Sequence, residues 1–327
     1  MCADPLTCWP AEKLRAARSA HTHTHKPERA TPPPPRRAAA PTAASPLTSR
    51  RSYVIDTENI DTIIHAAAQS HVDNSFGNSF AFTENNVMGT HVLAETAHNS
   101  GRIKRFIHVS TDEVYGSSYE GDERHVEEDV LEPTNPYAAT KAAAEHIVKS
   151  YYRSFKLPLI ITRGNNVFGP HQYPEKVIPK FVRRLVNGQT CCIHGDGSNT
   201  RHFIYVGDVA AAFLTILHRG VVGEVYNVGC ETEFTNLEVA QMLVRAIKPG
   251  ADPKDHISYV RDRSFNDVRY YINSGKLHKL GWKPVVEFEE GLRRTIEWYT
   301  NVAADWWPIG TDSALAPHPE PKGLTKS

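Results

Sequence analysis

The sequence predicts an α/β fold with a doubly wound parallel sheet and a second, smaller α/β lobe that binds the substrate. Apolar runs at residues 60–65, 105–109 and 157–162 are typical of buried strands. Residues 82–98 have helical spacing, and Asn135-Pro136 opens a helix that reaches the next strand, with proline in its first turn. Strands that alternate with helices form βαβ units, so we expect the sheet to be parallel.

The second half of the chain is predicted to be less regular. We expect helices near 176–187, 208–218, 235–247 and 289–300, and strands near 191–194, 202–206 and 224–228. Gly195-Asp196-Gly197 starts like a phosphate-binding loop, but Thr200 stands where a third glycine is needed. We therefore predict a hairpin turn at this segment.

The composition excludes several classes of protein. The chain has 327 residues, with 37 Lys plus Arg, 37 Asp plus Glu and 40% hydrophobic residues, which argues against a general nucleic-acid binder. No apolar run reaches the roughly 18 residues that a membrane-spanning helix needs, so no membrane association is expected. The cysteines are odd in number and lack metal-binding spacing, which predicts free thiols in a reducing, cytoplasmic compartment and no metal site. They are Cys2, Cys8, Cys191, Cys192 and Cys230.

The zero net charge is the sum of two unlike parts. Residues 1–50 carry a net charge of +5 and the remainder −5. Polyproline at Pro32–Pro35 and few apolar side chains predict a disordered tail, because such a segment buries too little surface to offset its ordering entropy. Two other interpretations stay open: a mitochondrial presequence around residues 13–18, and metal binding by the alternating His21, His23 and His25.

These features predict four segments. Residues 1–51 form the tail, 52–170 a sheet domain with the catalytic residues, 171–302 mainly the substrate-binding lobe, and 303–327 a loose C-terminal end.

Tyr137 and Lys141 lie four residues apart on one face of the predicted helix. A nearby cation stabilises a phenolate, so this pair predicts a tyrosine base. Tyr152 and Lys156 have the same spacing near the other end of the helix. Since only the start of the helix lies near the strand ends, we assign the base to Tyr137 and the helix surface to Tyr152.

Three further polar segments follow predicted strands. They are His65–Asp73 with three consecutive alanines, Ser110–Gly116 with adjacent acids, and Thr162–Pro170 with amide side chains. Each segment alone is also compatible with a plain turn or helix cap. Because all of them fall on one side of the predicted sheet, where ligands bind in this architecture, we place the functional site there.

Together these segments resemble the extended short-chain dehydrogenase/reductase family, which has a Rossmann-like sheet, and within it the dTDP-glucose 4,6-dehydratases, most closely the animal members. The similarity runs from about Ser52 to Tyr299. It is carried by His65-Ala-Ala-Ala-Gln-Ser-His-Val-Asp73, Val109-Ser-Thr-Asp-Glu-Val-Tyr-Gly116, Asn135-Pro-Tyr-Ala-Ala-Thr-Lys141, Gly169-Pro-His-Gln-Tyr-Pro-Glu-Lys176, Tyr226-Asn-Val-Gly229, Asp262-Arg-Ser-Phe-Asn-Asp267 and Leu280-Gly-Trp-Lys-Pro284.

The resemblance implies a lyase that converts dTDP-glucose to dTDP-4-keto-6-deoxyglucose and water through NAD. Tyr137, assisted by Lys141, would take the O4 proton while the C4 hydride goes to NAD, and Thr111 would hydrogen-bond O4. Glu113 would then remove the C5 proton, now acidified by the 4-ketone, as Asp112 protonates the departing C6 hydroxyl. The hydride would return to C6.

The same resemblance implies the binding residues. The NAD contacts would be Ala66, Ala67, Ala68, Gln69, Ser70, Asn85, Tyr137, Lys141 and Val167. The nucleotide-sugar contacts would be Ser70, Thr111, Asn166, Lys176, Val177, Cys192, Ile193, His194, Arg201, Asn227, Asp262, Arg263, Ser264, Phe265 and Asn266. A homodimer is implied by analogy only. The sequence departs from the family pattern at Gly164-Asn165, where Ser or Cys is usual, at Val167 and at Ser264.

A larger departure concerns the glycine-rich turn that binds the NAD pyrophosphate in this family. No glycine precedes Gly77, so we expect a chain that lacks the first part of the family fold. Two alternatives to the implied function stay open. One is a UDP-glucose 4,6-dehydratase or another nucleotide-sugar enzyme of the family, and the other is an inactive, truncated form that does not hold NAD.

Overall fold

The computed structural model describes residues 53–262, 265–302, 306–307 and 311–317. The main sheet has four parallel strands in the order β1-β2-β3-β7. They are β1 (Thr62–His65), β2 (Arg105–Thr111), β3 (Leu159–Gly164) and β7 (Val225–Val228). The predicted α/β fold with a parallel sheet is confirmed. The predicted tail, residues 1–51, lies outside the described residues.

The helices of the first half cover this sheet. They are α1 (Val72–Gly77), α2 (Ser79–Phe82), a π-helical segment (Thr83–Met88), α3 (Gly89–Ser100) and α4 (Pro136–Phe155). Helix α4 begins where the sequence predicts, because the Asn135 side chain accepts a hydrogen bond from the Ala138 N–H and Pro136 occupies the first turn.

The second half contains two small sheets and the remaining helices. In one sheet, β6 (Thr200–Tyr205) lies between β4 (Asn166–Phe168) and β8 (Glu233–Thr235); in the other, β5 (Cys191–His194) pairs with β9 (Ile257–Val260). The helices are α5 (Val177–Val186), α6 (Val206–Arg219), α7 (Asn236–Ile247), α8 (Gly275–His278) and α9 (Phe288–Asn301). Strands β4 and β8 escape sequence prediction because three residues are too few to show a periodicity.

The hairpin predicted at Gly195-Asp196-Gly197 is wrong. Both glycines have positive φ, 61° and 77°, and the chain does turn there. However, β5 pairs with β9, and β6 pairs with β4 and β8, so the strands on either side of the turn belong to different sheets. Long-range pairing overrides the local pattern.

The C-terminal end, predicted to be loose over residues 303–327, is packed in the described segment 311–317. The Leu315 side chain is buried. Three consecutive backbone carbonyls, of residues 315, 316 and 317, accept hydrogen bonds from Arg184, Lys180 and His194. Such contacts tie the segment to α5 and β5.

No helix among the described residues is long and apolar enough to span a membrane. In the same part of the chain, no cluster of three or more His, Cys, Asp or Glu residues is arranged to hold a metal ion.

Candidate active site

A cavity of about 420 Å³ lies at the carboxyl ends of the parallel strands. The sheet register creates it: Thr111 of β2 pairs with Gly164 of β3, which pairs with Val228 of β7, and all three residues line the cavity. The residues predicted from the sequence that line it are Ser70, Thr111, Glu113, Tyr137, Asn166, Val167, Lys176, Val177, Cys192, Ile193, His194 and Arg201. The topology thus brings together residues from both halves of the chain.

The adjacent acids Asp112 and Glu113 form the start of a 3₁₀ turn directly after β2. Burial, and then the negative charge of Glu113, raises the pKa of Asp112 to about 7. Burial also raises the pKa of Glu113, but the charge of Lys176 and a 3.2 Å hydrogen bond from Asn135 oppose that rise. The two carboxyl groups therefore have different surroundings, as an acid and a base working together require.

Tyr137 lies in the first turn of α4 and Lys141 one turn later, and both are buried. Lys141 Nζ donates a 2.6 Å hydrogen bond to the Val109 carbonyl, and burial lowers its pKa to about 8. The pKa of Tyr137 is raised, first by burial and then by the negative charge of Glu113. Burial and the charge of Glu113 therefore oppose formation of a phenolate at Tyr137, whereas a hydrogen bond with Thr111 favours it.

The second tyrosine with the same spacing, Tyr152, lies at the far end of α4. It does not belong to the cavity lining, and its hydroxyl packs against Gly223, where an added Cβ would collide with it. Of the two Tyr-x-x-x-Lys pairs, only the one at Tyr137 is therefore at the cavity.

Comparison with known proteins shows the family to which this chain belongs. The sequence profile described as GDP-mannose 4,6-dehydratase matches residues 48–295. The chain belongs to this family. Its motif-based assignment to the extended dehydrogenase/reductases is thereby confirmed.

Members of the GDP-mannose 4,6-dehydratase family similar to this chain include plant and animal enzymes. The chain is 52% identical over 269 residues to a trifunctional UDP-glucose 4,6-dehydratase/UDP-4-keto-6-deoxy-D-glucose 3,5-epimerase/UDP-4-keto-L-rhamnose-reductase of Arabidopsis thaliana, covering 82% of this chain. It spans only 40% of that relative's length. It is 48% identical to the dTDP-D-glucose 4,6-dehydratase of Homo sapiens over 81% of this chain and 75% of the human one.

Two solved structures of similar proteins have folds that superpose on that of this chain. The dTDP-glucose 4,6-dehydratase from Streptomyces venezuelae, solved with NAD and TYD bound, has a TM-score of 0.74 and 40% identity, covering 78% of each chain. The UDP-glucose 4-epimerase of Thermus thermophilus, in complex with NAD, has a TM-score of 0.72 and 30% identity, covering 78% of this chain and 83% of that one.

The loop after β1 is held by Asn86, the residue that follows the predicted Asn85. Asn85 is exposed, whereas its neighbour Asn86 is buried and accepts a 2.8 Å hydrogen bond from the Gln69 N–H. The Asn86 amide also donates to the Gln69 carbonyl (3.0 Å) and to Thr140 Oγ1 (2.9 Å). Asn86 therefore holds the segment Ala66–Ser70 against α4, and it is the buried residue of the π-helical segment Thr83–Met88.

Asn227, predicted to contact the nucleotide sugar, is not among the residues that line the cavity. It is fully buried, its Oδ1 accepts from the Tyr115 hydroxyl (2.9 Å), and its Nδ2 donates to the carbonyls of His125 and Asn273. With these partners, Asn227 joins β7 to the loop at residue 125.

Asp262, Phe265 and Asn266 do not line the cavity, and Arg263 and Ser264 lie outside the described residues. Asn266 nevertheless reaches the site indirectly, because its Oδ1 accepts a 3.2 Å hydrogen bond from Arg201, which does line the cavity. Ala66, Ala67, Ala68, Gln69, Asp112 and Lys141 also lie outside the lining, although Asp112 and Lys141 contact residues within it.

Sequence reasoning missed several polar residues of the cavity, namely Asp73, Asn165, Thr162, Gln172, Glu175, Lys180 and Tyr270. Most of them lie inside segments already singled out, at 65–73 and 162–176. Tyr270 alone lies in a loop without a strand or helix signal; its hydroxyl reaches Glu113 Oε2 at 3.4 Å.

Proposed function

We propose that the protein is a dTDP-glucose 4,6-dehydratase, a hydro-lyase that forms dTDP-4-keto-6-deoxyglucose and water. The observation that carries this proposal is that Glu113 and Tyr137 line one cavity, with Asp112 behind them in contact with the lining residue Thr111. The two carboxyl groups have different surroundings. A dehydration across C5 and C6 needs one acid and one base side by side.

The cofactor in this proposal is NAD, as in the Streptomyces venezuelae structure. The cavity next to Tyr137 and Lys141 fits a nicotinamide ribose, since the buried Thr162 hydroxyl lines it and has no hydrogen-bond partner among the described residues. The residues that would hold NAD are Ala66, Ala67, Ala68, Gln69, Ser70, Asn85, Tyr137, Lys141 and Val167, and Asn86 would support the segment Ala66–Ser70. NAD, when bound, accepts a hydride from C4 and returns it to C6.

The chain's own residues supply the proton transfers. Tyr137 takes the O4 proton and Thr111 hydrogen-bonds O4, so that C4 would become a ketone once its hydride is taken up by bound NAD, and the ketone acidifies the C5 proton. Glu113 removes that proton, and its electron pair forms the C5–C6 double bond. The C6–O bond breaks at the same time, and the oxygen takes a proton from Asp112 and leaves as water.

The cationic residues Lys176 and Arg201 also line the cavity, where their charges suit a diphosphate. This supports a division in which residues 52–170 carry the catalytic groups and 171–302 hold most of the nucleotide sugar. Asn166, Val177, Cys192, Ile193 and His194 complete the proposed sugar-nucleotide contacts.

The decisive experiment incubates the purified 327-residue protein separately with dTDP-glucose and with UDP-glucose. A 4-keto-6-deoxy product from dTDP-glucose is expected. Turnover of UDP-glucose alone would overturn the proposal in favour of the second candidate, which the identity to the plant UDP-glucose 4,6-dehydratase supports. The human relative, matched over most of its length, favours dTDP-glucose.

A third outcome concerns the cofactor. Protein that carries no NAD after purification, and forms no product when NAD is added, would instead identify an inactive form. This control is needed because no glycine precedes Gly77 in the sequence, whereas the family binds the NAD pyrophosphate at a glycine-rich turn.

The proposal includes a cytoplasmic homodimer. The Phe80 and Met88 side chains are exposed, on elements that contact α4, and exposed apolar groups favour a protein contact. Light scattering on the purified protein tests the dimer, and a mass of one chain at micromolar concentration would contradict it.

A further inference from the structure

Asn165 lies between β3 and β4, on the floor of the cavity. Its side chain is 4% exposed, and its backbone N–H donates a 3.0 Å hydrogen bond to the Val228 carbonyl. Because Gly164 pairs with Thr111 across the sheet, the next residue on each strand is brought close to its counterpart. Asn165 is thereby placed beside Asp112, 53 residues away in the chain.

A hydrogen bond from the backbone of Cys230 fixes the orientation of the Asn165 amide. Its Oδ1 accepts a 3.1 Å hydrogen bond from the Cys230 N–H. Gly229 leaves room for this contact, since a Cβ at that position would lie 2.3 Å from the Asn165 oxygen. With Oδ1 occupied by a donor, the amide presents its NH₂ group to Asp112, and Nδ2 lies 2.7 Å from Asp112 Oδ2.

This contact determines which oxygen of Asp112 can carry a proton. Oδ2 accepts the N–H of Asn165, whereas Oδ1 accepts a 3.2 Å hydrogen bond from the Thr111 hydroxyl at the cavity. An amide N–H can only donate, but a hydroxyl can turn and accept, so the proton of the acid form resides on Oδ1. We propose that Asn165 is a positioning residue that keeps the proton of Asp112 on Oδ1, facing Thr111 and the substrate, and stabilises the carboxylate left after proton transfer. The inference rests on the proposed function, in which Asp112 is the acid.

The proton transfer balances in this arrangement. Oδ1 gives its proton to the departing C6 oxygen, which leaves as water with the electron pair of the C6–O bond. Asp112 becomes a carboxylate, and its new charge is shared with the N–H of Asn165. A neutral amide does this without adding a charge to the site.

Other groups also face Asp112. Glu113, on the same turn, raises the pKa of Asp112, whereas Arg201 of β6 lowers it. The ionisable side chains of Tyr137 on α4 and Cys230 after β7 lie close enough for their pKa values to respond to the Asp112 charge. The Asn165 hydrogen bond lowers the pKa of Asp112. Removing this hydrogen bond should therefore raise that pKa while the other groups stay in place.

The test titrates Asp112 directly, in protein labelled with ¹³C at aspartate Cγ and without substrate. Asp112→Asn assigns the signal. We expect the Asp112 pKa to rise by about one unit in Asn165→Ala, because a hydrogen bond to a charged group is lost. An unchanged Asp112 pKa in a folded variant would overturn the inference. Asn165→Ser, which retains a small polar side chain without an NH₂ group, serves as the second variant if alanine prevents folding.

The kinetic half of the test separates positioning from a structural role. For Asn165→Ala we expect kcat to fall about tenfold while KM stays within twofold of the wild-type value. We also expect the pH at which kcat declines on the alkaline side to rise with the pKa of Asp112. A lower kcat with an unmoved Asp112 pKa indicates a structural role only and contradicts the inference. If the wild type dehydrates neither sugar nucleotide, the proposed function fails, while the titration still decides whether Asn165 controls Asp112.

Discussion

The Arg163 guanidinium and the Glu145 carboxylate form a bidentate ion pair inside the molecule. The two hydrogen bonds measure 3.0 and 2.8 Å, and neither side chain is more than 1% exposed. Burial alone would raise the pKa of Glu145, but the hydrogen bonds and charge of Arg163 outweigh it and lower that pKa. The pair joins β3 to α4, the helix that carries Tyr137, and so fixes this helix to the sheet.

Glu145→Gln is expected to lower the free energy of unfolding by about 3–5 kcal/mol, because it leaves the Arg163 charge buried without its counter-charge. Urea denaturation measures this. The matched control is Asp61→Asn, which breaks the exposed pair with Lys104 by the same chemical change and should have a much smaller effect, because solvent screens an exposed pair. Equal effects of the two substitutions would mean that the buried pair does not hold α4.

Tyr137→Phe is expected to reduce kcat by about 10²–10⁴-fold, because it removes the proposed base for the O4 proton. Tyr152→Phe provides a matched control: it removes the hydroxyl of the other Tyr-x-x-x-Lys pair on the same helix, away from the cavity, and should leave kcat within twofold. Both are measured by product formation at saturating substrate. Similar losses in the two variants would refute the assignment of the base to Tyr137.

Glu113→Gln is expected to retain sugar-nucleotide binding and to abolish exchange of the C5 proton. The amide keeps the shape of the side chain and its neighbours Asn135 and Tyr270 but has no basic oxygen. Calorimetry measures binding, and mass spectrometry of product formed in D₂O measures exchange. Exchange at the wild-type rate would exclude Glu113 as the base.

Asp112→Asn is expected to change stability in a pH-dependent way. The folded pKa of Asp112, about 7, lies above its ordinary value of 3.8, so the folded state binds this proton more tightly than the unfolded state. The stability that protonated Asp112 provides is complete below about pH 4 and is lost as pH rises through about 7. Relative to the wild type, the amide variant should therefore gain stability from pH 4 to pH 7 and keep a constant advantage above it.

Denaturation midpoints of the two proteins at a series of pH values test this prediction. A difference between them that stays the same from pH 4 to pH 8 would show that Asp112 titrates at its ordinary pKa.

Much of the fold could be predicted from the sequence because the relevant patterns are local. The strand at 105–111 and the helix at 136–155 show their own periodicity and caps. The hairpin at Gly195 failed for the complementary reason: β5 finds its partner at β9, about sixty residues away, and no local pattern encodes that choice. Asn85 and Asn86 differ only in which side of a π-helical segment they face.

The sequence by itself determined the α/β class, the family and the group of residues that meet at the strand ends, since alternating strands and helices leave one arrangement for a parallel sheet. Only the tertiary structure decided how those residues behave. Burial and neighbours distant in sequence set the pKa of Asp112, raise the pKa of Tyr137, and give Asn227 its hydrogen-bond partners. Protonation depends on desolvation and on charges in space, and neither is written in the order of the residues.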